Sequence, residues 1–294
     1  MDGAVAAAQQ ARKERISMEI RTTPDDVSYA RMTTQELRRG FLFENLFVPG
    51  RVTMVYCDAD RAIVGAALPG DRPLSLEATR KEMAADFFAE RREIGIASLG
   101  GRGTVVTGEA SYAMQAGDIL YLGKGVREIR FSGTDTAEAA QFYFVSFPAH
   151  TTYPPALIRR NEAEASPLGT PAGANVRTIR RYIHANGVRS CQLVMGITEL
   201  NEGSVWNTMP PHTHVRRTEV YLYFGLGPGA LAVHLMGKPD ETRSLLVRDR
   251  EAVLSPPWSI HAAAGTQRYS FVWAMGGENQ EFSDMDAVNM RELQ

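Results

Sequence analysis

The sequence predicts an all-β protein of two similar barrels with few, short helices, and three observations predict it. Short β-branched and aromatic segments bounded by Gly, Pro or Asp recur along most of the chain, as in sandwiches and barrels. Helical periodicity is scarce. The two halves carry matching segments more than a hundred residues apart, which signals domain duplication and not a solenoid.

Residues 1–30 read as an N-terminal extension, helical or mobile. Ala and Gln lead into Arg12-Lys13-Glu14-Arg15 without the apolar stretch of a secretory signal, and Met18 would serve as an alternative start. Thr33-Thr34-Gln35-Glu36-Leu37 has the spacing of a capped helical turn. One longer helix is expected at about 75–88, where Glu77, Lys81, Glu82 and Asp86 lie among Ala and Met. Strands are expected at 51–56, 103–107, 119–122, 142–147, 220–224, 232–236, 244–247 and 269–273. Between them, 148–175 is rich in Pro, Ala, Gly and Thr. The expected divisions are a first barrel at 31–155, a linker at 156–175 and a second barrel at 176–294.

The repeat is visible where Asp118-Ile119-Leu120-Tyr121-Leu122 and its Gly123-Lys124-Gly125 turn match Glu251-Ala252-Val253-Leu254-Ser255 and its Pro256-Pro257-Trp258 turn. Upstream, Arg91-Arg92-Glu93 mirrors Arg216-Arg217-Thr218-Glu219 with one gap.

Composition narrows the function. A formal net charge of −2 and the lack of any long Lys/Arg block give nucleic acid and anionic membranes no electrostatic support. No run approaches a membrane span. Cys57 and Cys191 are isolated, which argues against a disulfide scaffold and fits a reducing cytoplasm. A small anionic substrate needs only one or two local arginines.

Three of the six histidines cluster in pattern with one acid: His212-Thr213-His214, then Glu219, then His261 after a Pro-containing turn. Residues two apart on a strand share a face, so His212 and His214 can look into one interior. Glu219 is at an odd offset and needs a turn at 215–218 before it. A closed barrel brings His261 alongside. Imidazole and carboxylate without thiolate suit Zn, Fe, Mn, Ni or Co, and zinc is the favoured reading. In the first copy Phe87, Ala89 and Glu128 stand where the second has His212, His214 and His261, so the first barrel is expected to hold no metal.

This His-x-His-x4-Glu and Pro-x-x-x-x-His pattern resembles the metal motifs of the cupin superfamily, and two copies resemble a bicupin, a pair of jelly-roll barrels. A closer resemblance is to the 5-keto-4-deoxyuronate isomerase family. It is carried by Asn207-Thr208-Met209-Pro210 leading into His212, by Arg216-Arg217 with Glu219-Val220-Tyr221, and by Trp258-Ser259-Ile260-His261. It extends to Gly277-Glu278-Asn279-Gln280 and Asp284-Met285-Asp286, and in the first half to Glu90-Arg91-Arg92-Glu93 and Pro148 to Pro154. The resemblance implies a zinc-dependent ketol-isomerase, with one zinc per subunit on His212, His214, Glu219 and His261. The implied substrate is 4-deoxy-L-threo-5-hexosulose uronate from pectin breakdown, the product 3-deoxy-D-glycero-2,5-hexodiulosonate, and the implied assembly a homohexamer. The related 5-deoxy-glucuronate isomerase, a metal-dependent dioxygenase and a non-catalytic sugar-binding bicupin stay open as alternatives.

A divalent ion that binds an aldehyde and its neighbouring hydroxyl polarises the carbonyl. Either a base then moves a proton between the two carbons or a hydride shifts. The candidates for the proton are Tyr221, Tyr223 and Lys124. Substrate contacts are sought among Arg181, Arg216 and Arg217, whose forks suit a carboxylate, and at Gln192 and Trp258. Trp258 stands where cupins usually carry glycine, and a ring there is expected to narrow the cavity mouth or stack on a ligand.

Overall fold

The computed structural model describes residues 18–77, 79–134 and 138–294. The first part of the expected N-terminal extension, 1–17, lies outside them.

Each half pairs a seven-stranded sheet with a four-stranded one. The first large sheet runs in the order Glu19–Arg21, Val52–Cys57, Ile63–Ala67, Phe142–Pro148, Arg92–Ser98, Ile119–Leu122, Ala156–Ile158. The second runs Glu164–Leu168, Arg177–Ile183, Val194–Leu200, Ser270–Gly277, Arg217–Phe224, Ala252–Ser255, Leu42–Phe43. The segments expected as strands all fall on strands, with shifted ends.

Alternation sets the packing. On Arg217–Phe224, Val220 and Leu222 join a core built from both large sheets, with Val55, Val145 and Tyr143 from the first and Met195 and Val272 from the second. Tyr221 and Tyr223 point the other way, into the interior of the second barrel with Trp273, Phe271 and Met236. A third core of Phe131, Phe142 and Phe144 fills the first barrel. The large sheets therefore stand back to back, and each barrel closes on its own outer side. Glu93 ties them together. Fully buried, its carboxylate accepts from Tyr121 Oη and from the backbone N–H groups of Cys191, Gln192 and Leu193, at 2.7–2.9 Å.

The capped turn is a full helix, Thr34–Phe41, with Thr33 and Glu36 forming the reciprocal cap. The helix expected at 75–88 is reduced to one turn, Arg80–Met83, ended by left-handed Ala84 (φ 49°). Ala85 and Phe88 are buried as the chain enters the first barrel, Phe88 edge-on to Phe144. Barrel packing outweighs the weak helical pattern there.

Strand pairing also redraws the expected divisions. Leu42–Phe43 pairs with the second barrel's Ala252–Ser255, so after laying Glu19–Arg21 in the first sheet the chain visits the second sheet before returning to build the rest of the first. The segment expected as a linker carries two strands: Ala156–Ile158 completes the first sheet and Glu164–Leu168 opens the second. Such short strands leave no periodicity for sequence to display.

Register corrects the repeat as well. Arg92 is paired with Pro148 and Ile94 with Leu122 and Ser146. In the second half Arg217 is paired with Gly277, and Glu219 with Ser255 and Met275. Arg92 is thus the counterpart of Arg217 and Ile94 of Glu219, with no gap. The first barrel has Phe87, Ala89, Ile94 and Glu128 at the four ligand positions.

Candidate metal centre

His212 and Thr213 form a two-residue strand against Asp286–Ala287 near the C-terminus. The chain then turns at 215–216, where Arg217 N donates to the His214 carbonyl at 3.0 Å, and enters Arg217–Phe224. This is the turn the odd offset of Glu219 required. His261 arrives from the Pro256–Ile260 turn, which is closed by Ser259 N to Pro256 O at 2.9 Å.

Four donor atoms converge. His212 Nε2 lies 3.1 Å from His214 Nε2 and 3.0 Å from His261 Nε2. Glu219 Oε2 lies 3.0 Å from both His214 Nε2 and His261 Nε2. His214, Glu219 and His261 are buried, and His212 is partly so. Among the described residues this is the one group of His, Cys, Asp and Glu with such convergence.

The donor set fits a first-row divalent ion. Ligand bonds of ~2.0–2.1 Å place neighbouring ligand atoms ~2.9–3.4 Å apart in right-angled or tetrahedral arrangements, the spacing found here. The imidazoles are prepared for it. His214 Nδ1 sits 3.0 Å from the Asp284 carbonyl, which assigns the proton to Nδ1 and leaves Nε2 as a lone pair. His261 Nδ1 meets Ser255 Oγ at 3.1 Å. Burial, with the neighbouring His261 and His214 rings, pushes His212 down to about 2, so it is neutral at physiological pH. Burial alone would raise Glu219, but His261 and His214 outweigh it and hold the carboxyl well below its usual range.

The cluster opens on a cavity of about 290 Å³. Its walls are mostly apolar: Ile179, Phe271, Trp273, Met275, Phe282 and Met285, with Thr198, Thr208, Tyr221 and Arg177 as the other polar or charged groups. Gly196 makes room for Trp273, since a Cβ there would lie 2.2 Å from the indole. Tyr221 Oη is 3.4 Å from Thr208 Oγ1, and its ring stands 5.2 Å from that of His261. Burial pushes this phenol well above its ordinary value.

The remaining sequence candidates are placed elsewhere. Tyr223 is fully buried with its hydroxyl 2.7 Å from His234 Nδ1, behind the cavity wall. Lys124 is on a turn of the first barrel, near Cys191. Arg216 forks onto Asp284, and Arg181 pairs with Glu164 and lies over the Phe282 ring. Arg217 is fully buried, donating to the carbonyls of Glu281 and Asp284 at 2.7 Å. These two bonds fix the 281–284 loop over His214. Gln192 donates to Pro148 O at 2.6 Å and belongs to the joint between the halves. Trp258 packs on Tyr29 (4.7 Å) and Phe41 (6.0 Å) and does not line the cavity. The ring that replaces the cupin glycine serves the N-terminal helix. Sequence reading missed Arg177, Thr198 and Trp273 as cavity residues. The common strand face of Arg177, Ile179 and Arg181 was the available signal.

The chain is similar to known proteins over most of its length. The KduI/IolB family profile matches residues 44–292. A 4-deoxy-L-threo-5-hexosulose-uronate ketol-isomerase from Opitutus terrae is 52% identical over 94% of this chain and 100% of its own length. The enzyme of the same name from Bacillus subtilis is 47% identical over 93% and 98%. In structure, an IolB-like protein from Salmonella typhimurium superimposes with a TM-score of 0.67 at 15% identity, covering 84% of this chain and 96% of that one, which speaks to the shared fold. With profile, relatives and fold in agreement, the chain belongs to the KduI/IolB family.

Proposed function

We propose that this chain is a zinc-dependent ketol-isomerase that converts 4-deoxy-L-threo-5-hexosulose uronate to 3-deoxy-D-glycero-2,5-hexodiulosonate in pectin breakdown. The observation that carries the reading is the convergence of His212, His214, Glu219 and His261 on one point of an apolar cavity. The names of the Opitutus terrae and Bacillus subtilis relatives support the substrate. A homohexamer, one zinc per subunit and a cytoplasmic location follow from the family resemblance; no described helix is long and apolar enough to cross a membrane.

The reaction moves hydrogen within one molecule: C2 is oxidised to a ketone as the C1 aldehyde is reduced, with no external redox partner. A bound ion would supply the polarisation of the C1 carbonyl and C2 hydroxyl. The chain does the rest. Trp273, Phe271, Met275 and Phe282 keep water from the reacting carbons. Tyr221, protonated at neutral pH, holds a proton at Oη for a substrate oxygen. Glu219, shared between two imidazoles, is kept as a ligand and is a poor base.

NMR on the unsaturated-galacturonate product tests this. Isomerisation should proceed in the absence of oxygen with zinc bound. Oxygen uptake with Fe(II) and no isomerisation would replace the reading with a dioxygenase.

A further inference from the structure

The same cavity holds a charge that the metal cluster does not explain. Arg177 is the one Lys or Arg among the described residues that line it. It opens the Arg177–Ile183 strand, with Ile179 on the same face and Thr198 beside Ile179 in register, and all three line the cavity. Its Nη1 donates to the Asn175 carbonyl at 2.9 Å. No carboxylate pairs with it among the described residues, in contrast to Arg181 and Arg216. The rest of the guanidinium fork is left for something that enters. A half-buried cation among apolar walls favours an anion strongly, because water competes poorly there.

We propose that Arg177 binds the terminal carboxylate of an open-chain hexuronate whose C1–C2 end lies at the His212–His214–Glu219–His261 cluster. This rests on the isomerase reading and deepens it: Arg177 selects sugar acids over neutral sugars. The substrate's chemistry fits a cavity lined by both the cluster and Arg177. Its aldehyde and carboxylate are at opposite ends of a six-carbon chain, roughly 6 Å apart when extended. Tyr221 lines the same cavity as Glu219 of the cluster and Arg177.

The test compares the free acid with its C6 methyl ester on the zinc-loaded wild type, Arg177→Met and Arg177→Lys. Losing a charge-assisted fork weakens use of the acid by roughly 10- to 100-fold in kcat/KM. The ester should be handled equally by wild type and Arg177→Met, the lysine variant should fall between, and bound metal should stay unchanged. Equal losses on acid and ester, or no loss on the acid, would overturn the proposal. If the wild type isomerises neither compound, the isomerase reading itself fails. Binding of the acid, followed by quenching of tryptophan fluorescence, then still decides. Tighter binding by wild type than by Arg177→Met supports the carboxylate site, and equal binding refutes it.

Discussion

Arg217 Nη2 lies 3.0 Å from His214 Nδ1, and both groups are hydrogen-bonded to one acceptor, the carbonyl oxygen of Asp284. The ligand's orientation is thus set by a loop near the C-terminus, and that loop is held by a buried arginine three residues beyond the ligand.

Arg217→Met should therefore loosen the metal without touching a ligand. Outer partners of metal-bound histidines are typically worth 10- to 100-fold in affinity. Zinc affinity should fall by about that factor, measured by competition with a chromophoric chelator. An unchanged affinity would mean that the strand alone orients His214.

Removing a ligand should do more. His261→Ala deletes a donor 3.0 Å from both His212 Nε2 and Glu219 Oε2, leaving a carboxylate and two imidazoles. The expected outcome is loss of bound metal together with at least about 100-fold lower kcat. Metal analysis beside the activity assay checks it, and full activity in a metal-free variant would refute the assignment.

The joint between the barrels makes a stability prediction. Glu93→Ala strips the acceptor from one phenol and three backbone N–H groups. Buried donors left without acceptors cost about 1–3 kcal/mol each before relaxation, so a loss of about 3 kcal/mol or more is expected. A lower urea midpoint at constant slope would register it.

His234 predicts acid sensitivity. Burial pushes its imidazole down from 6.5 to about 3. The folded state thus binds this proton less readily than the unfolded chain. Its contribution is fully present above pH ~6.5 and is lost as pH falls toward 3. Between pH 6.5 and 5, wild type should lose roughly 2 kcal/mol more stability than His234→Gln. Parallel urea curves at the two pH values give the comparison; identical losses would contradict it.

Much of this site was legible in the sequence because its parts are local. His-x-His, an acid after a turn and a histidine after a proline turn are each short patterns. The alternation of Val220, Leu222 and Phe224 with Glu219, Tyr221 and Tyr223 fixed which groups share the interior. What escaped depends on contacts between distant segments. Arg177 and Arg181 sit four apart on one strand, and only the fold reveals that Glu164 occupies the second and leaves the first open. The role of the 281–284 loop rests on backbone carbonyls, which have no sequence signature. Trp258 reads as a ligand platform until the N-terminal helix is placed against it.

The most direct test of the central claim is to count metal and follow turnover on the same sample, before and after chelation. The account predicts about one divalent ion per chain, loss of isomerisation when it is removed, and recovery of both when zinc is restored. Undiminished isomerisation by the metal-free protein would contradict it.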